Sequence, residues 1–219
     1  MTQAGAEGVD AGWLPGAQRI LSPNCDERPP DEVVRLVVIH AISLPPGEFG
    51  GPGIVDLFTN RLDPEAHPYF RQIRGLRVSS HFLVRRDGTL IQFVPCSRRA
   101  WHAGVSSWMG RPGCNDFSIG IELEGCDQLA FEDAQYLSLN RLLAELRCRY
   151  PIEALAGHSD IAPGRKTDPG PYFSWGRLRR LLAEQGRADV LARIEPEGAP
   201  NADGGALMRW PFPLSVRPG

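Results

Sequence analysis

The chain has 219 residues, 42% of them apolar and 23% charged, an ordinary composition for one α/β domain with a full core. Its net charge of −2, with arginines interleaved among acids and no long basic tract, gives no reason for nucleic acid or an anionic membrane as a main partner. No stretch approaches the ~18 apolar residues of a membrane span.

The start, MTQAGAEGVDAGWLPG, lacks the basic residues followed by an apolar run that mark a secretory leader. Pro15, Pro23, Pro29 and Pro30 predict an irregular lead-in over the first 30 residues. The β-branched run Val33-Val34-Arg35-Leu36-Val37-Val38-Ile39 predicts a buried central strand ending at His40. A Gly/Pro-rich loop follows over 43–75, with a short apolar piece around Ile54–Phe58. A loop of that length in a compact domain is usually functional or mobile.

His81–Arg85 and Leu90–Val94 read as two strands joined by Arg86-Asp87-Gly88-Thr89, where the Asp-Gly pair marks a hairpin turn. Phe117–Glu124 is a further strand, with Ile119, Ile121 and Leu123 on one face and Gly120, Glu122 and Glu124 on the other. Phe131–Arg147 carries leucines at 139, 142, 143 and 146, the spacing of an amphipathic helix. Ser174 is placed to cap a last helix bearing Leu178, Leu181 and Leu182. From about residue 186 periodicity is lost, and a tail is expected whose Trp210-Pro211-Phe212 could dock back on the domain.

The five cysteines are odd in number and show no CxxC spacing, which predicts reduced thiols and a cytoplasmic address. On position alone His40 is more readily a hydrogen-bonded structural histidine than a ligand or catalyst. The segment Gly157-His158-Ser159-Asp160-Ile161-Ala162-Pro163-Gly164-Arg165-Lys166-Thr167-Asp168-Pro169-Gly170 says more. It packs a histidine, two aspartates and a lysine into a loop with no apolar periodicity.

This loop, continued as GHSDIAPGRKTDPGPYFSW, resembles the corresponding segment of the AmpD-type N-acetylmuramoyl-L-alanine amidases, the amidase-2 group related to peptidoglycan recognition proteins. The likeness extends through GWLPGAQRILSPNCDERP, VVIHAISLPPGEFGG, RVSSHFLVRRDG, RRAWHAGVSS and CNDFSIGIELEG, over roughly residues 12–182. It implies one α/β domain at 12–185, a mixed central sheet flanked by helices, between a lead-in at 1–11 and an irregular tail at 186–219. It also implies hydrolysis of the bond between N-acetylmuramic acid, in its 1,6-anhydro form, and L-alanine, during cell-wall recycling in the cytoplasm. A monomer acting on muropeptides is expected.

By the same resemblance His40, His158 and Asp168 hold Zn²⁺, a donor set that suits the ion and leaves a fourth position open. Asp160 is the competing carboxylate. The resemblance makes Glu122 the proton carrier and Lys166 the charge near the oxyanion, with Glu124 a less favoured alternative to Glu122. Arg77 would meet peptide carboxylates and Leu123 would line the cleft. His81 and His102 are expected to be structural or supporting, and His67 a surface residue. Two positions depart from the family pattern: Ala41 stands where Asn is common, and Gly113 where Arg is common, with Arg111 two residues earlier. A non-hydrolysing muropeptide sensor and a zinc peptidase acting within the stem peptide are the rival readings.

Overall fold

The computed structural model describes residues 12–184, 192–193 and 208–209. The lead-in is less irregular than its prolines suggest, because between them run two short strands, β1 (Gln18–Arg19) and β2 (Cys25–Glu27). From it Arg28 reaches inward and donates to the carbonyls of Asn115, Asp116 and Ser118. The central strand, β3, runs Leu36–Ile42, later at both ends than the apolar run implies. Val33 is 39% exposed, and partners on both sides carry the strand past His40.

Two helices interrupt the expected 43–75 loop. In α1 (Gly53–Phe58), Ile54, Leu57 and Phe58 are buried against the sheet. In α2 (Pro68–Gln72) proline sits in the first turn, where its missing N–H costs nothing. His67 is the cap of α2, its Nδ1 accepting from the Tyr69 N–H at 3.1 Å, so it is more than a surface residue.

The Asp-Gly hairpin forms as β4 (Phe82–Val84) and β5 (Leu90–Gln92). After it come β6 (Arg98–Ala100), β7 (Ser107–Trp108), β8 (Arg111–Pro112) and β9 (Ser118–Glu124). The long helix α3 covers Asp133–Arg149. It starts two residues later than its leucines allow, because Glu132 and Gln135 close a capping box. Then follow β10 (Ala154–Gly157), the one-turn α4 (His158–Ile161) and α5 (Trp175–Leu182), where Ser174 accepts from the Arg177 N–H as its sequence position predicts. The expected irregular tail is corrected at two points, β11 (Ala192–Arg193) and β12 (Met208–Arg209). The proposed docking of Trp210-Pro211-Phe212 lies outside the described residues.

One mixed sheet runs β1-β5-β4-β9-β3-β10-β12-β11, with β4, β9, β3 and β10 parallel at its centre. On one face Val37, Ile39, Ile119, Ile121 and Leu123 pack against leucines of α3 and α5. The opposite face carries Leu36, Val38, Ala154 and Ala156 and, towards α1, Leu83 and Ile91. Among the described residues no helix is long and apolar enough to cross a membrane.

Candidate metal centre

Pairing between the parallel strands sets the site. His40 lies opposite Glu122 across β3 and β9. Gly157 lies opposite Ile39 across β10 and β3, so His158, one residue on, falls level with His40. Residues of one register row on one face stand side by side. His158, His40 and Glu122 therefore form a row at the carboxyl ends of parallel strands, where open α/β sheets present their ligand crevices.

Backbone ties bring the following loop back to that row. The Ser159 N–H donates to the Asp168 carbonyl at 2.9 Å, and Arg165 donates to the carbonyls of Ala103 (2.8 Å) and Val105 (2.6 Å). Gly157 permits the approach, because a Cβ there would lie 2.8 Å from Pro169 Cδ. Asp160 turns away from the row and accepts the Gly157 N–H at 2.7 Å, so the competing carboxylate is used as a cap.

Three atoms converge: His40 Nδ1 and His158 Nδ1 at 2.9 Å, and each of them 3.1 Å from Asp168 Oδ2. Tetrahedral zinc bonds of 2.0–2.1 Å would set ligand atoms about 3.3 Å apart, so the triangle has the size to share one ion. This is also the one group among the described residues able to gather three such donors.

The Nε2 atoms of both rings have partners of their own. His158 Nε2 faces the Ala103 carbonyl at 3.1 Å and must donate to it, while His40 Nε2 faces His102 Nδ1 at 2.9 Å. Burial pushes His40 down to about 4, so it is neutral at physiological pH. Burial opposes ionisation of Asp168, but hydrogen bonds from His158 and His40 would hold it below the usual carboxylate range. Those bonds require a proton on Nδ1. With both protons on Nε2, three lone-pair donors would face one another, a set that one cation would satisfy.

Glu122 is 9% exposed and its Oε2 has no partner. Burial first, and the charge of Asp168 second, raise its acid well above the usual range, with Lys166 pulling the other way. Glu124 is committed differently. It pairs with Arg85 at 3.1 Å and accepts from the N–H groups of Gly50 (2.7 Å) and Arg86 (3.2 Å), pinning the glycine-rich loop.

A cleft of about 520 Å³ opens over this row, walled by Ala41, Ser43, Tyr69, Lys166 and Thr167 among others, and Glu122, His158 and Asp168 line it. Tyr69 and Cys126 also line it. Sequence reasoning passed over both, since neither lies in a periodic or polar cluster; the His67-Pro68 helix start is the one local signal near Tyr69. Arg77 is exposed in an adjoining hollow that shares Leu57, Ile73 and Leu76 with the cleft. The expectation for Leu123 is corrected: its side chain is 1% exposed on the opposite face of the sheet, within the α3 core, and cannot line the cleft. Arg111 does not stand in for the guanidinium absent at Gly113. It pairs with Glu32 and lies over the Phe117 ring, away from the cleft.

Residues 30–171, which include His40, Glu122, His158, Lys166 and Asp168, match the family model described as N-acetylmuramoyl-L-alanine amidase. The 1,6-anhydro-N-acetylmuramyl-L-alanine amidase AmpD of Escherichia coli K12 is 58% identical over 179 residues, covering 81% of this chain and 98% of that protein. A crystal structure of a selenomethionine AmpD derivative is 59% identical, covers 78% of this chain and 97% of that one, and superposes with a TM-score of 0.76. The amidase AmiD from E. coli, solved in complex with anhydro-N-acetylmuramic acid-L-Ala-D-γ-Glu-L-Lys, is 30% identical with a TM-score of 0.51, covering 76% of this chain and 63% of that one.

Proposed function

The chain belongs to the N-acetylmuramoyl-L-alanine amidase family, and from that premise we propose that it hydrolyses the lactyl–alanine amide of 1,6-anhydromuramoyl peptides, with zinc held by His40, His158 and Asp168. The observation that carries the metal assignment is the meeting of two imidazole nitrogens and a carboxylate oxygen within 3.1 Å of one another. Zinc, when bound there, would polarise a carbonyl and make water acidic near neutral pH.

This chain's own groups supply the rest. Glu122, buried and partnerless beside the triangle, is suited to take a proton from the attacking water and hand it to the departing alanine amine. Lys166, on the cleft wall, brings positive charge to the oxyanion that develops on the carbonyl. Arg77, in the hollow next to the cleft, is in reach of a stem-peptide carboxylate. The free state of all five cysteines fits a reducing compartment, and a monomeric cytoplasmic enzyme acting on imported cell-wall turnover products is the setting we favour.

The test is to incubate purified protein with anhydromuramoyl tripeptide and identify the products by mass. Release of an alanine-free sugar acid and intact tripeptide is expected. Binding without turnover would make the protein a sensor, and cleavage within the peptide would make it a peptidase. Full activity in Asp168→Ala, or after exhaustive zinc removal, would overturn the metal assignment.

A further inference from the structure

The two imidazoles of the triangle are oriented by different means. His158 donates Nε2–H straight to a backbone carbonyl. His40 meets another histidine, whose own proton could sit on either nitrogen, so its polarity must be settled further away.

It is settled by a chain of buried groups. His40 Nε2 lies 2.9 Å from His102 Nδ1, His102 Nε2 lies 3.2 Å from Ser118 Oγ, and Ser118 Oγ lies 2.5 Å from the Cys114 carbonyl. A carbonyl oxygen can only accept, so the Ser118 hydroxyl donates to Cys114 and offers a lone pair to His102. His102 must then carry its proton on Nε2 and accept at Nδ1. His40 in turn must carry its proton on Nε2, which leaves a lone pair on Nδ1, the atom facing His158 and Asp168.

The surroundings hold the chain in place. The N–H groups of His102 and Ala103 both donate to Asn115 Oδ1, at 3.1 and 2.8 Å. The His102 ring lies on Gly120, where a Cβ would come within 2.5 Å of its Cγ. The Gly120 N–H is taken by His81 Nδ1 at 3.0 Å. Ser118 and His102 are both buried.

We propose that His102 and Ser118 are positioning residues that fix His40 in the tautomer presenting Nδ1 to the metal, through a one-way hydrogen-bond chain anchored on the Cys114 carbonyl. The inference rests on the metal reading above. Partners of this kind typically change metal affinity about 10–100-fold when lost.

Two measurements test it. In metal-free wild-type protein, nitrogen-15 NMR of the imidazoles should show His40 and His102 protonated at Nε2 and bare at Nδ1; a proton on His40 Nδ1 would overturn the proposal. Zinc affinity is then measured by chelator competition in Ser118→Ala, His102→Leu and His102→Gln, with folding monitored without metal. Ser118→Ala and His102→Leu should each bind zinc about 10–100-fold more weakly. His102→Gln, whose amide oxygen can still accept from His40, should recover most of the affinity. Wild-type affinity in the first two variants, or equal losses in Leu and Gln, would sink the idea. Failure of the wild type to bind zinc would defeat the metal reading instead, and the tautomer measurement would still decide the chain.

Discussion

At the scale of single residues, Glu122 and Glu124 separate two roles that look alike on paper. Both are buried on one strand face, two residues apart, yet Glu124 is saturated with donors while Glu122 keeps a bare oxygen beside the metal triangle. Glu122→Gln should lower kcat about 10²–10⁴-fold and leave zinc content unchanged, as read by steady-state kinetics and metal analysis. Burial raises the Glu122 acid, so its base form is lost at a higher pH than for an ordinary carboxylate. The acid limb of the kcat profile should therefore be displaced upward in wild type and vanish in the glutamine variant. Lys166→Met should cost about 10²–10³ in kcat, the scale of removing one oxyanion donor. Strand alternation set both Glu122 and Glu124 on the face away from Ile121 and Leu123, and the likeness to known amidases singled out Glu122. The same alternation turns Leu123 to the opposite face, and its burial in the α3 core overturns the expectation, drawn from the resemblance, that it lines the cleft.

At the scale of elements, the loop after β3 is held by side chains far from it in sequence. Glu124 of β9 accepts from Gly50 N–H while Arg85, its ion-pair partner, donates to the Gly51 carbonyl at 3.0 Å. Ser43 and Leu44, at the start of that loop, wall the cleft. Glu124→Gln would keep the shape but remove the charge that Arg85 faces. We expect a loss of about 1–3 kcal/mol in unfolding free energy and a KM raised more than kcat is lowered, measured by denaturation and kinetics on the same preparation. The helices inside this loop, α1 and α2, were hidden in sequence because six and five residues are too few to display helical periodicity. By contrast α3 is seventeen residues long and shows its leucine face plainly.

At the scale of the whole molecule, stability should depend on pH and on zinc. Burial first, and Arg28 next, push His81 down to about 3. Below about pH 6.5 the unfolded chain takes up a proton that the folded one refuses until about 3, so stability is complete above 6.5 and lost as pH falls through that window. Thermal unfolding of the metal-free protein between pH 7 and 4 should show a steady fall in Tm. At a thousandfold excess over its Kd, zinc should add about 4 kcal/mol, roughly 8–16 °C for a domain of this size. Asp168→Ala should abolish that increment in the same melt.

Period-two alternation, leucine spacing, the Asp-Gly turn and the Ser174 cap determine most long elements from sequence alone, because each depends on neighbours a few residues away. The polar loop from His158 to Asp168 was visible for the same reason, and its likeness to known amidases supplied the ligand set. What the tertiary structure decided is register and polarity. That His40 stands beside both Glu122 and His158 depends on how β3 pairs with β9 and β10, partners about eighty and one hundred and twenty positions away. On our proposal, which nitrogen of His40 carries the proton is set by a carbonyl at Cys114, reached through two further side chains. Such long-range contacts leave no trace in local spacing, since only the folded chain brings those atoms within hydrogen-bonding distance.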